Sequence, residues 1–328
     1  MHEQGIALAS QAADALRALA LDETAKERIL HDPLLNTFAG RVAARYTAGR
    51  TIDAALETVR RIQLRGHAAS AEYMGESCRD PARADAETGV FLELIAALDA
   101  ARLPCSISFD LSHIGSLVSP QHGFANARRI AAAAAKAGRE VMISMEGSDR
   151  ADDIYAIYAR LHLEAGLANV GITAPAKLHR TAQDLPRLLQ YPGRIRLVKG
   201  AFAEPQEVAL HRDDPELARR YRDYARQLID SGHACSIATH DRSVQHDLSD
   251  YLGQAGAGRG QVEFESLIGL GTDRIDDLQR RGFQTREYAV FGEEYFLYVL
   301  NRIAEEPVRL YQAVIDLLAP GHAGTVPA

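Results

Sequence analysis

The sequence predicts an α/β chain built as a closed (β/α)8 TIM-like barrel with helices ahead of it, and three observations carry that prediction. Eight short apolar runs alternate with helix-length segments over about 250 residues, the length such a barrel needs. Polar and charged residues gather where the runs end, which is the rim on which these barrels carry their sites. The competing architecture, an open doubly wound sheet, has a Gly-rich dinucleotide turn after its first strand, and this chain has none there.

Taken in order, Gly5 to Ile29 is Ala- and Leu-rich with helical spacing, and Thr51 to Arg65 forms a second amphipathic helix after Thr47-Ala48-Gly49. Residues 1–66 read as a helical preface, 67–318 as the barrel and 319–328 as a disordered tail. The strands are expected at Ser70–Met74, Ser106–Leu111, Val141–Met145, Val170–Ala174, Ile195–Val198, Cys235–Ala238, Val262–Ser266 and Thr285–Ala289. Between them lie helices at Val90–Ala101, Gly123–Ala137, Asp149–Ala165, Thr181–Leu189, Pro215–Ser231, Arg242–Ala255 and Thr272–Arg281. Gly253 to Gly260 reads as a flexible turn, and one long helix is expected from Glu293 to Leu318. Tyr298, Arg302 and Glu305 recur at spacings of four and three, on one face of that last helix, and the face is expected to look into the barrel mouth.

With 328 residues and an apolar fraction of 47%, the chain can bury a large core. A net charge of -7 argues against a partner held through nucleic-acid phosphates. Cys78, Cys105 and Cys235 make neither a disulfide framework nor a zinc site, and cytoplasm is the expected compartment. The sequence shows no signal peptide and no apolar run long enough to span a membrane.

The stretch Arg194 to Phe202 stands out, because an apolar strand runs directly into Lys199-Gly200-Ala201 and leaves Arg196 and Lys199 where a strand ends. Such a cluster suits an anionic or electron-rich ligand. Other strand ends bring Glu72 with Glu76, Asp110 with His113, Glu146 with Asp149, Lys177 with His179, Thr239-His240-Asp241, Glu263 with Glu265, and Glu287 with Tyr288. Any barrel has polar residues where strands meet solvent, and carboxylates with histidines on one rim also suggest a metal. No His-x-His or Glu-x-x-His pair is present, so no metal is assigned.

Arg-Leu-Val-Lys-Gly-Ala followed by an aromatic, Ile-Ala-Thr-His-Asp, Glu-Phe, and a closing Tyr-x-x-x-Gly with Tyr and Arg on the last helix resemble the proline dehydrogenase family. Ala71 to Glu76 is similar to that family's opening Leu-Asp-x-x-Gly-Glu, and the likeness runs from about Leu35 to Pro307. It implies a distorted barrel that holds FAD non-covalently and passes a hydride from a small amine or imino acid to flavin N5. Arg196 then lies near the ring edge, where a guanidinium stabilises the reduced flavin. Glu146, Val198, Lys199, Gly200, Ala201, Phe202, Thr239, His240 and Glu263 are implied around the cofactor. Leu267, Tyr288 and Tyr298 would wall the pocket against water, with Arg302 and Glu305 as substrate-binding Arg and partner.

The departures are as informative. Asp110 stands where the family has a Lys, Ser144 where it has an Asp, and Asn301 replaces one arm of an Arg-Arg fork that grips a carboxylate. Pro175-Ala176-Lys177 replaces a Gln-Ala-Tyr, and Phe202 a Tyr. Because the cofactor positions persist while the carboxylate-gripping ones change, the sequence reading favours a shifted substrate, with Arg196, Asp110 and Tyr288 as catalytic residues and Asp110 receiving or deprotonating a nitrogen. Two alternatives stand beside it. One is L-proline dehydrogenase itself, giving pyrroline-5-carboxylate, with Lys177 rebuilding the lost cation; the other is an inactive flavin-binding or interaction barrel. The electron acceptor, quinone or oxygen, is left open.

Overall fold

A computed structural model of the chain describes residues 2–75, 77–255, 260–306 and 309–318. Glu76, positions 256–259 of the expected turn and the expected disordered tail lie outside the described residues. Eight strands close in sequence order: β1 (Ala68–Tyr73), β2 (Ser106–Phe109), β3 (Val141–Ile143), β4 (Val170–Pro175), β5 (Ile195–Val198), β6 (Cys235–Ala238), β7 (Val262–Leu267) and β8 (Gln284–Phe291). All neighbours are parallel, and β8 returns to β1 with Ala68 opposite Arg286 and Tyr73 opposite Phe291, so the sheet has no edge.

Four helices precede the barrel: α1 (His2–Ala20), α2 (Glu23–His31), α3 (Pro33–Tyr46) and α4 (Ile52–Leu64). The outer ring is α5 (Pro81–Ala100), α6 (Pro120–Lys136), α7 (Ala151–Leu163), α8 (Thr181–Leu188), α9 (Pro215–Asp230), α10 (Arg242–Ala255) and α11 (Thr272–Arg280). The last two described helices are α12 (Tyr295–Glu305) and α13 (Arg309–Leu318). The expected Gly5–Ile29 helix is two helices, because the Asp22 carboxylate accepts from the Ala25 N–H at 3.0 Å and starts α2 afresh. Hydrophobic period alone misses α3 and starts α5 at Val90, nine residues late. Both helices open on Asp-Pro, with Asp32 and Asp80 accepting first-turn N–H groups and Pro33 and Pro81 preset for helical φ. The expected single helix from Glu293 to Leu318 also fails: α12 ends at Glu305, and Glu306 is extended ahead of Pro307, as a residue before proline prefers to be.

Along the strands, Ile107, Phe109, Ile195, Leu197, Ile237 and Phe264 join the helices in the main apolar core, each contributing about 1.5–3 kcal/mol by burial. The residues that alternate with them are polar and meet across the barrel. Arg286 Nε donates to Glu263 Oε1 at 2.7 Å, and its Nη1 reaches Ser106 Oγ at 2.7 Å. One level higher, Arg196 Nε lies 2.9 Å from Glu265 Oε1, and Arg196 Nη2 donates to Ser108 Oγ at 2.9 Å. Small serines on β2 and β6 leave room for these ion pairs where barrels more often pack branched apolar side chains. A second apolar cluster, with Tyr46, Met74, Leu270, Tyr288, Tyr295 and Val299, seats α3, α12 and α13 over the carboxyl end of the barrel. Among the described residues no helix is long and apolar enough to cross a membrane.

Candidate active site at the carboxyl end of the barrel

Arg196 forms the floor of the site. It is 5% exposed, and its guanidinium carbon lies 4.8 Å from the centre of the Tyr288 ring. Burial, the largest single influence, would make the guanidinium easier to discharge, but the charges of Glu265, Tyr288 and Glu72 and the hydrogen bond to Glu265 together outweigh it and keep Arg196 above the ordinary value. Above it, the Tyr288 hydroxyl donates to the Glu72 carboxylate, which lies 3.4 Å from Ser144 Oγ. Burial first, and the charge of Asp110 second, push the Glu72 carboxyl up to about 8. Burial raises the Tyr288 phenol well above its usual range, helped by Glu72. Asp110 is half-buried, with Oδ2 3.5 Å from His113 Nε2.

The α12 helix roofs this floor. Arg302 Nη2 lies 2.9 Å from Glu305 Oε1, and the Arg302 guanidinium carbon is 5.3 Å from the Tyr298 ring centre. The charge of Glu72, on β1, is felt at Tyr298, and that of Arg302 at His240, beyond β6. The Tyr298–Arg302 face therefore spans the mouth, with Leu267 beside it and Asn301 half-buried next to Arg302. Burial, then Arg302, Arg309, Arg274 and Lys199, pull the His240 imidazole down to about 3, so it is neutral. His240 also lines a cavity of about 350 Å³ beneath α13, together with Arg45, Arg274, Arg309 and the Gly269–Gly271 turn.

Gly200 holds φ +108, and a Cβ there would stand 2.6 Å from Lys177 Cδ and 3.2 Å from Pro175 Cβ. Gly200→Ala should lower stability by about 1–3 kcal/mol through that left-handed backbone and overlap, read by denaturant unfolding. A loss below half of the lower figure would show that the loop relaxes freely.

Several residues singled out in the sequence take other places. Glu263 sits one residue into β7, at the amino end of the barrel, where Arg286 and Ser236 occupy its carboxylate. That position is remote from the mouth, so the cofactor role expected of Glu263 is withdrawn. Glu146 accepts from the Ser112 N–H at 3.0 Å and from Arg150, so its carboxylate ties the ends of β2 and β3 together. Phe202 is 50% exposed on the loop after β5, and Ala201 is exposed beside it. Lys199 Nζ is 2.8 Å from Asp241 Oδ2, and Thr239 Oγ1 accepts from the Asp241 N–H at 3.1 Å. Lys177 does not rebuild the lost cation. Its ammonium donates to the Phe202 carbonyl at 2.5 Å, in the loop after β5. Glu287 turns outward to Arg65 at 2.6 Å. The sequence reading named Glu72 and Glu265 only as strand ends and did not reach Ser108, Arg274 or Arg309. Glu263 and Glu265, two apart on one strand, were a legible signal that both point into the barrel.

A large, polar, anionic ligand fits this mouth. His240 Nδ1, Arg274 Nε, Arg302 Nε, Tyr298 Oη and Thr173 Oγ1 are buried without a hydrogen-bond partner among the described residues, which is costly unless a ligand or water supplies one.

The family model for proline dehydrogenase matches residues 55–306. The proline dehydrogenase of Deinococcus radiodurans is 30% identical over 287 residues, covering 87% of this chain and 92% of that protein. Proline dehydrogenase 1 of Bacillus subtilis strain 168 is 28% identical over 265 residues, covering 81% and 87%. Among solved structures, proline utilization A from Bdellovibrio bacteriovorus, inactivated by N-propargylglycine, superposes with a TM-score of 0.79 at 16% identity, over 97% of this chain and 40% of that longer one. The last likeness bears on the fold. The match of the family model over most of the chain, and of the relatives over nearly their whole length, means that this chain is an oxidoreductase of the proline dehydrogenase family.

Proposed function

We propose that the chain is an FAD-dependent dehydrogenase that oxidises the C–N bond of L-proline to pyrroline-5-carboxylate. The observation that carries this reading is the pairing of a buried Arg196 floor with an Arg302–Tyr298 roof across one mouth, walled by Leu267 and Tyr288. When bound, FAD supplies the acceptor for the substrate's hydride. Arg196 would supply a fixed positive charge at the floor of the site, at no cost in reorganisation when negative charge builds on the bound cofactor. The Gly200 backbone admits close approach, and Thr239, His240 and Arg274 lie along the rim that would hold the phosphates. Arg302, oriented by Glu305, offers its guanidinium to the substrate carboxylate. Tyr298 and Leu267 exclude water from the transfer.

A second reading, a substrate with a neutral or cationic end in place of the carboxylate, is favoured by Asp110 and Glu72 at the same mouth. The relatives named above are all proline dehydrogenases and lend that shift no support. The purified protein is expected to carry a flavin band at about 450 nm, and L-proline should bleach it without oxygen. Bleaching only by amines that lack a carboxylate would move the assignment to the second reading. A colourless protein that takes up no FAD would end both.

A further inference from the structure

The roles above leave one buried acid without a task. Glu72 lies one residue from the end of β1, and the groups facing it among the described residues are Ser144 just beyond β3, Asp110 just beyond β2, Tyr288 from β8, Arg196 from β5 and Tyr298 from α12. Arg196 is the cation among them, and it is already committed to Glu265 at 2.9 Å. Two carboxyl groups therefore share a mouth with little free positive charge, an arrangement in which one of them keeps a proton that an isolated acid would release. Asp110 is the outer member. Its Oδ2 lies 3.5 Å from His113 Nε2, and Glu87, whose charge also bears on His113, stands behind. His113 Nδ1 is buried without a partner among the described residues. An inner acid, an outer acid and an imidazole thus stand side by side at the mouth.

We propose that Glu72 and Asp110 together form the subsite for the substrate nitrogen and accept its proton. The proposal rests on the reading of the chain as an amine-oxidising flavoenzyme. A secondary amine arrives as an ammonium, whose nitrogen lone pair is tied up in an N–H bond, so no hydride can leave the adjacent carbon. That N–H bond breaks toward the carboxyl pair, which gains the proton. The C–H bond then breaks with its electron pair, which passes as a hydride to the oxidised flavin, while the freed lone pair forms the C=N bond. Two electrons leave the amine and two reach the flavin. The proton departs from Asp110 by way of His113. The Tyr288 hydroxyl donates to the inner carboxylate and holds it in place, with Ser144 Oγ 3.4 Å away as a second, longer donor.

The test uses the FAD-loaded protein, chemically reduced so that no turnover occurs, and two ligands of one shape: L-proline and tetrahydrofuran-2-carboxylate, whose ring oxygen carries no proton. Calorimetric affinity for proline should fall about tenfold for each pH unit below a midpoint near 8, while the ether shows no such fall. Glu72→Gln should abolish the fall and still bind the ether. Asp110→Asn, which removes the like charge, should move the midpoint to lower pH. With oxidised protein mixed anaerobically with saturating proline, Glu72→Gln should slow flavin reduction at least tenfold. A flat proline profile in the native protein overturns the proposal, as does a variant changed in affinity but not in saturated rate. Should Glu72→Gln not fold, an unmoved midpoint in Asp110→Asn overturns it. Failure to hold FAD and both ligands would sink the functional reading itself, whereas FAD and ether binding with an unaltered variant sinks only this inference.

Discussion

Arg196→Met is expected to cost the folded protein about 3–5 kcal/mol, the usual penalty for breaking a buried ion pair from one side, and to strip the site of its fixed cation. If only local charge were lost, the protein would stay intact and the outcome would be milder. The structure changes that expectation, because Glu265 is 3% exposed and lies 2.9 Å from the guanidinium. Removing Arg196 leaves that carboxylate charged in a place where charge is expensive, or forces it to take up a proton. Ser108 loses its donor as well. Pairing the change with Glu265→Gln should recover more than half of the lost stability, since an amide needs no counter-ion. Urea unfolding of the flavin-free protein separates this from any effect on cofactor affinity. A single-variant loss under about 1 kcal/mol, the range of an exposed pair, would mean that water reaches the barrel interior and that the floor of the site is wetter than described.

How far the sequence could be read follows from where its signals are local. β5 and β6 were placed to the residue, because each is a short apolar run bounded by turn chemistry at both ends. The helices that were missed or misplaced were legible too, through Asp32-Pro33 and Asp80-Pro81, whose capping meaning lies in the pair and not in hydrophobic period. Pro307 likewise marked the end of α12. The site divides in the same way. That Arg196 and Tyr288 point inward follows from strand alternation, but their partners come from strands far apart in sequence. Nothing near Glu72 says that the Tyr288 hydroxyl will find it, and nothing near Lys177 says that its chain will cross Gly200 and end on Phe202. Such assignments depend on barrel closure and register, which emerge only when all eight strands are paired.

Restoring the family residues at three positions, Asp110→Lys, Ser144→Asp and Asn301→Arg together, is expected to tighten binding of tetrahydrofuran-2-carboxylate, which has the carboxylate but no ammonium to be repelled at Asp110→Lys, by about 100-fold or more. Two regained cationic donors at roughly 1.5–3 kcal/mol each set that scale. The parts should not add. Ser144→Asp alone brings a third carboxylate against Glu72, 3.4 Å from the present hydroxyl, with Asp110 nearby, so it should weaken binding of that ether carboxylate and lower stability. The same change made with Asp110→Lys gains a partner and should turn favourable, a coupling that a double-mutant cycle reads directly. A second readout needs no substrate. In the native protein the unfolded chain releases the Glu72 proton above its ordinary 4.5, while the folded state keeps it to about 8. Between those values the native state binds more protons, so this group makes stability fall as pH rises. Asp110→Lys replaces the repelling charge with an attracting one, lowers the folded-state value of Glu72, and should narrow that window from its alkaline side. Unfolding free energies of the two proteins from pH 5 to pH 9 would reveal the change; parallel curves would show that Asp110 and Glu72 do not sense each other, and the charge argument for the whole pocket would fail with them.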